Sequence, residues 1–386
     1  MFNGLCRLTG VFVLVCSIFS NDLWADNVMQ VYTGTLGKAP IVLEVNPSSG
    51  DGRYFYQKYR QDLMLSGTKE GEELVLDEGE DEDEPRPSIR LRPKAEGWSG
   101  EWTSLRGKVL RIELQQARLV PVPDGTLPFL AQLHDKSPYE YLRLQGMKLK
   151  RGLTEDFMGY TLQWWSEPQS NTSLFEVVSG YTPEVRQRIN QQLMAELWWG
   201  VAEYFGCTVH GAVGSYSQTS QPMWMAPSVM SVVTSSEYYC GGAYPDQNNA
   251  AINFDTRTGN ALTLEDVLWV GQGKPLHFEE TRDEHSSMSF NAYSEYRSKE
   301  FAPWLVAQLL KLYPNEITAK PEVEENDCQY NEDYPWHYPG WYFTETGIKL
   351  EPSFAHVAAV CRDIGWSVLP YSLVKQYPGG VAVQLP

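Results

Sequence analysis

Between residues 29 and 116 apolar and polar positions alternate in short runs. These are Gln30–Gly34, Pro40–Val45, Arg53–Gln57, Asp62–Ser66, Glu73–Leu76 and Lys108–Leu114. A period of two with one apolar face predicts strands whose other face is wet. Turn formers separate the runs, at Gly34, Gly37, Ser49 to Gly52, Gly67 and Gly71. So many short strands are protected most simply by a small barrel or curved sheet. The stretch Trp98-Ser-Gly-Glu-Trp102 predicts a turn between strands, its indoles covering an open end.

The texture changes beyond residue 116. Pro121, Pro123 and Pro128 disfavour regular structure and predict a linker over 117–128, within a linker and connecting-strand region of 117–150. Thr182-Pro183-Glu184 has the order of a helix start. Val185, Ile189, Leu193 and Leu197 then recur every fourth residue, and Gly206 is the expected stop. A second helix is predicted over Phe301–Tyr313, ended by Pro314. Strands are predicted at Thr161–Trp165, Met230–Ser235, Ala250–Phe254, Trp341–Phe343 and Gly347–Leu350. They do not alternate with helices, which argues against a doubly wound parallel sheet. The fold class is therefore α+β: a β-rich module over 26–116, then an α+β domain over 151–386 with an antiparallel sheet and two main helices.

The first 25 residues have the layout of a cleaved secretory signal, with Arg7, the apolar run Val11–Phe19 and Leu23-Trp24-Ala25 at the cleavage site. A run of nine residues falls short of the ~20 that span a bilayer, so no stable membrane insertion is expected after cleavage. Val15 before Cys16 argues against lipidation. Export leaves Cys207, Cys240, Cys328 and Cys361, which predicts two disulfides. Equal spacing favours Cys207–Cys240 and Cys328–Cys361, and the lack of any CxxC argues against zinc.

Charge narrows the functions. Lys+Arg is 31 against Asp+Glu 49, a net −18, which phosphate backbones would repel, so no nucleic-acid partner is expected. Half of that excess lies in Lys69–Glu84, where ten acids face one lysine. Charge this dense predicts a solvated loop, with metal or partner contact as the alternative.

Two stretches carry a resemblance. One is Ser231–Pro245, containing Cys240-Gly-Gly-Ala243, followed by Ala251–Leu268 with Asp255-Thr-Arg-Thr-Gly259. The other is Trp341–Ile348, closed by Val368–Leu373. Over residues 160–377 the chain resembles the extracytoplasmic domain shared by the lysozyme-sensing anti-sigma factor RsiV and PdaC-type deacetylases. The resemblance implies a bacterial envelope protein that senses or binds a protein, lysozyme-like above all, or a cell-wall glycan. It does not imply catalysis, because the deacetylase activity of such relatives resides in a separate domain. Tyr244 stands where relatives often have His, a departure from any inherited proton-transfer or metal role. Gly241 and Gly242 permit a sharp bend and could equally offer amides to a ligand.

No HExxH, GxSxG, GxxxxGK[ST] or GxGxxG motif occurs, so no catalytic residue, cofactor or resident metal is expected. A hydrolase acting on cell-wall material is the alternative reading. It would draw on His277, Glu279, Asp283 and His285, a stretch that otherwise reads as a polar loop. The aromatic loop Asn331–Trp341 is the best candidate binding surface, through Tyr334, Trp336, His337, Tyr338 and Trp341, since Trp and Tyr supply rigid contact area and stack on sugar rings.

Overall fold

The computed structural model describes residues 28–79, 85–209, 212–278, 284–318 and 328–386, with backbone alone at 212 and 284–289. Eight antiparallel strands close into a barrel in sequence order, and the last returns to pair with the first. They are β1 Gln30–Leu36, β2 Ala39–Val45, β3 Gly52–Tyr56, β4 Leu63–Glu70, β5 Glu73–Glu78, β6 Ser88–Lys94, β7 Gly97–Thr103 and β8 Val109–Gln116. Eight strands enclose just enough space for side chains. Leu74, Leu76, Ile89 and Leu91 point inward and are buried, while Arg90 and Arg92 face water. Those outward charges hide β6 from a reading by hydropathy.

Trp98–Trp102 is not a turn but lies inside β7. Gly100 pairs with Leu91, and a Cβ on it would lie 1.8 Å from the Arg90 carbonyl oxygen. The glycine permits close strand approach rather than a bend. Trp98 packs inside the barrel against Tyr32, and Trp102 donates its Nε1–H to Glu78 at 2.6 Å. Of the acidic run, Asp77 and Glu78 finish β5, and Glu80 to Glu84 lie outside the described residues.

The expected linker and connecting region contains two helices, α1 Pro128–Lys136 and α2 Pro138–Leu144. Each proline stands at the start of its helix, where a missing N–H costs nothing, so it opens structure instead of breaking it. Tyr139 of α2 packs on the outside of the barrel against Val42 and Phe55, all three fully buried. Its hydroxyl donates to Asp62 Oδ1 at 2.6 Å, and Arg143 Nη2 reaches the same oxygen at 2.7 Å.

Strands β9 Lys150–Phe157, β10 Tyr160–Ser166 and β11 Ser173–Val177 form one sheet. Helix α3, Pro183–Gly206, follows, with the Thr182 side chain accepting from the Val185 N–H. Its buried face carries Val185, Ile189, Leu193, Leu197, Val201 and Phe205, as their spacing predicts. A short hairpin, β12 Thr208–Val209 and β13 Ala212–Val213, leads into a second sheet. That sheet is β14 Ser215–Met225, β15 Val229–Tyr239, β16 Asp246–Asp255 and β17 Asn260–Ala261. Met225, Met230, Val232 and Phe254 of this sheet meet α3 in a common core.

The chain continues through α4 Leu264–Val267, α5 Glu284–Tyr296, a π-helical turn Arg297–Phe301, α6 Ala302–Leu312 and α7 Pro314–Ile317. The polar stretch expected as a loop therefore passes into α5. A last sheet, β18 Gly340–Phe343, β19 Gly347–Glu351 and β20 Val368–Pro370, precedes α8 Tyr371–Val374. Leu305 and Leu309 of α6 pack with Trp336, Phe343, Ile348 and Leu350 in a second core. Disulfides join Cys207 to Cys240 and Cys328 to Cys361. Among the described residues no helix is long and apolar enough to cross a membrane.

Candidate functional site

The groove between β16 and β18 grows from an incomplete strand ladder. β17 pairs only with Phe254 and Asp255, so among the described residues no strand lies along the outer edge of Asp246–Ala251. That edge opens on a groove of about 560 Å³, whose far wall is Tyr338 to Trp341 with Glu351 to Phe354. A buried polar network sets the separation of the walls. Asn253 Nδ2 donates to the Trp341 carbonyl at 2.8 Å, and Ser231 Oγ donates to Asn253 Oδ1 at 2.5 Å. The same hydroxyl accepts from the Phe343 N–H at 2.8 Å, which ties β18 to β15 and β16.

The groove is polar and acidic. Arg362 Nη1 bonds Asp246 Oδ1 at 2.9 Å, and His356 Nδ1 lies 3.2 Å from that oxygen. Burial opposes ionisation of Asp246, but the Gln247 N–H, His356 and Arg362 together hold its carboxyl below the usual range. Glu351 is pushed up by burial, eased by Lys349 and pushed further by Asp363, so two carboxyls share one end. Asn248 and Asn249 stand exposed on the open edge, and by strand alternation Asn249 faces the groove that the half-exposed Tyr338 also lines.

Of the residues singled out by sequence, the groove brings together Tyr338 and Trp341. Trp341 is largely buried, so its ring serves as floor more than platform. Trp336 is fully buried in the core and donates its Nε1–H to the Tyr330 carbonyl at 2.8 Å, which leaves it no surface to offer. Tyr334 is exposed and packs edge-on against Phe354, while the His337 ring stands edge-on to Tyr338. Gly241 and Gly242 both take positive φ, 99° and 90°, and belong to the bend after β15 rather than to the groove lining. Tyr244 stacks on His356 with ring centroids 6.0 Å apart and stays exposed.

His277 Nδ1 lies 3.1 Å from Thr263 Oγ1, beside the capping box that starts α4. Glu279 and Asp283 lie outside the described residues, and of His285 only the backbone, on α5, is described. Sequence reasoning missed Asp246, Asn248, Asn249, Glu351 and Arg362. The polar run Asp246-Gln-Asn-Asn249, set against an apolar strand end, was the available signal.

No protein-family profile matches the chain, and no curated protein matches it. The chain is similar to a crystal structure of a DUF3298 family protein from Pseudomonas aeruginosa PAO1. Identity is 14% and the TM-score 0.30, over 61% of this chain and 98% of that one. Overlap that slight carries no argument about the site.

Proposed function

We propose that this is an exported binding protein of the bacterial envelope, without catalysis of its own, that recognises cell-wall glycan in the groove between β16 and β18. The observation that carries the reading is the placing of Tyr338 and the exposed Asn249 amide in one groove, along a strand edge that no described strand covers. A pyranose ring has an apolar C–H face and a rim of hydroxyls. An aromatic face opposite planar donors and acceptors matches both, in a cleft of the size small ligands occupy. The resemblance of residues 160–377 to RsiV and PdaC-type proteins directs the choice of ligand to the envelope.

Charge favours one second reading, a basic protein such as a lysozyme. The chain carries −18, and the groove presents Asp246, Glu351 and Asp363 against Arg362. Complementary charge chiefly raises association rate and fades with salt. Titrating the full chain with a β-1,4-linked N-acetylhexosamine tetramer and with lysozyme, each at low and high salt, separates the two. Glycan binding that is insensitive to salt supports the proposal. Absence of glycan binding, with salt-resistant lysozyme binding that an equally basic control lacks, replaces it with the second reading.

A further inference from the structure

On the face of the β14–β16 sheet opposite the Asn249 side of the groove, a separate pocket of about 450 Å³ lies under helix α3. Its helical wall is Glu196, Trp199 and Glu203, and its floor includes Gln218 and Thr234. The Cys207–Cys240 disulfide closes one end by joining the residue after α3 to the residue after β15. At ~30 Å³ per water, the space suits a six-membered ring better than a bare ion.

The polar groups of this pocket are incompletely matched. Glu196 Oε1 accepts from Thr234 Oγ1 at 3.2 Å, and among the described residues no cation stands beside that carboxylate. Glu203 is exposed at the rim. Arg53, the cation whose field reaches Glu203, is already engaged by Glu44, Asp62 and Glu140. Gln218 is only 7% exposed; its Oε1 accepts from the Tyr216 hydroxyl at 2.8 Å, yet its Nε2 has no partner among the described residues. Helix α3 makes room for this amide, because a Cβ on Gly200 would lie 2.3 Å from Gln218 Oε1. A glycine inside a helix costs about 1 kcal/mol against alanine. Here it lets a side chain with an unsatisfied donor stand at the pocket.

We propose that this pocket binds a primary ammonium carrying a neighbouring hydroxyl, the chemistry of an amino sugar. The ammonium pairs with Glu196, the hydroxyl oxygen accepts from Gln218 Nε2, and the ring's C–H face lies on Trp199, whose indole is 52% exposed at the rim. A buried donor without a partner and a carboxylate without a cation are both unfavourable, and this one ligand relieves both. The site stands apart from the groove reading and does not depend on it.

The test is titration of the full chain with glucosamine, N-acetylglucosamine, glucose and putrescine, followed by Trp fluorescence and backbone amide shifts. Glucosamine is expected to bind about tenfold or more tightly than the other three. Glu196→Gln, an isosteric change, is expected to weaken glucosamine by a similar factor, and Tyr338→Ala in the groove to leave it unchanged. Three results overturn the proposal: no glucosamine binding, glucosamine binding that Glu196→Gln leaves intact, or putrescine binding as tightly as glucosamine. The last would remove the hydroxyl contact to Gln218.

Discussion

Arg362 and Asp246 clasp the groove, with Nη1 and Oδ1 2.9 Å apart. Arg362 also donates from Nη1 to the Gln247 carbonyl at 2.5 Å and from Nε to the Phe354 carbonyl at 2.9 Å. One guanidinium thus bridges the open edge of β16 and the opposite wall. Arg362→Ala should cost little stability, about 0–1 kcal/mol, because the pair is partly exposed. It should weaken glycan binding about tenfold by releasing the wall. Calorimetry on variant and parent, with thermal melts beside it, reads both effects.

The ion pair of Asp62 with Arg143 behaves differently, since both side chains are buried. Asp62 also accepts from Tyr139 and from Arg53, and its own N–H donates to the Phe205 carbonyl at 3.1 Å. This residue of the barrel therefore joins α2 and the end of α3. Arg143→Met leaves the buried Asp62 charge to Arg53 and the Tyr139 hydroxyl, and should destabilise by about 1–3 kcal/mol. Urea unfolding should show the barrel and the α3 region separating into two transitions. A single transition at unchanged midpoint would show that the contact does not fasten them.

The disulfide Cys207–Cys240 closes a loop of sequence separation 33. In the chain-entropy model its removal costs about 3–4 kcal/mol. The paired substitution Cys207→Ser with Cys240→Ser should lower the melting temperature. It should also broaden the amide signals of Thr234 to Tyr239, which the bond anchors to the end of α3.

Acid should favour the folded state through Glu196. Burial raises its carboxyl above the ordinary 4.5, with only the Thr234 hydroxyl opposing. The folded chain then holds that proton more tightly than the unfolded one. This contribution is complete below the unfolded value and is lost as pH rises through the folded one. Glu196→Gln never ionises, so it should melt above the parent near pH 7 and level with it near pH 4. Equal melting at both pH values would mean that the carboxylate is already compensated.

Much of the fold was legible because it is written in local periods. The four-residue spacing along α3 and the alternation of the barrel strands needed no tertiary knowledge. The failures share one cause, that a residue's meaning depends on a neighbour distant in sequence. Pro128 reads as a breaker until it is placed at the start of α1. Gly100 reads as a turn until Leu91 lies across from it. The aromatic loop pointed to Tyr338 and Trp341, but the same density drew in Trp336, which is core. Glu196 and Gln218 carry no common motif, since α3 and β14 meet only in the folded chain. Gly200 inside a long amphipathic helix was the hint.

The most direct measurement is the affinity of the full chain for the N-acetylhexosamine tetramer, compared between parent and Tyr338→Ala. Tyr338 is 42% exposed, so its truncation should leave the melt within about 0.5 kcal/mol of the parent. The account predicts that the parent binds and that the variant binds about tenfold more weakly. A parent that does not bind the tetramer, or a variant that binds it equally well, would contradict it.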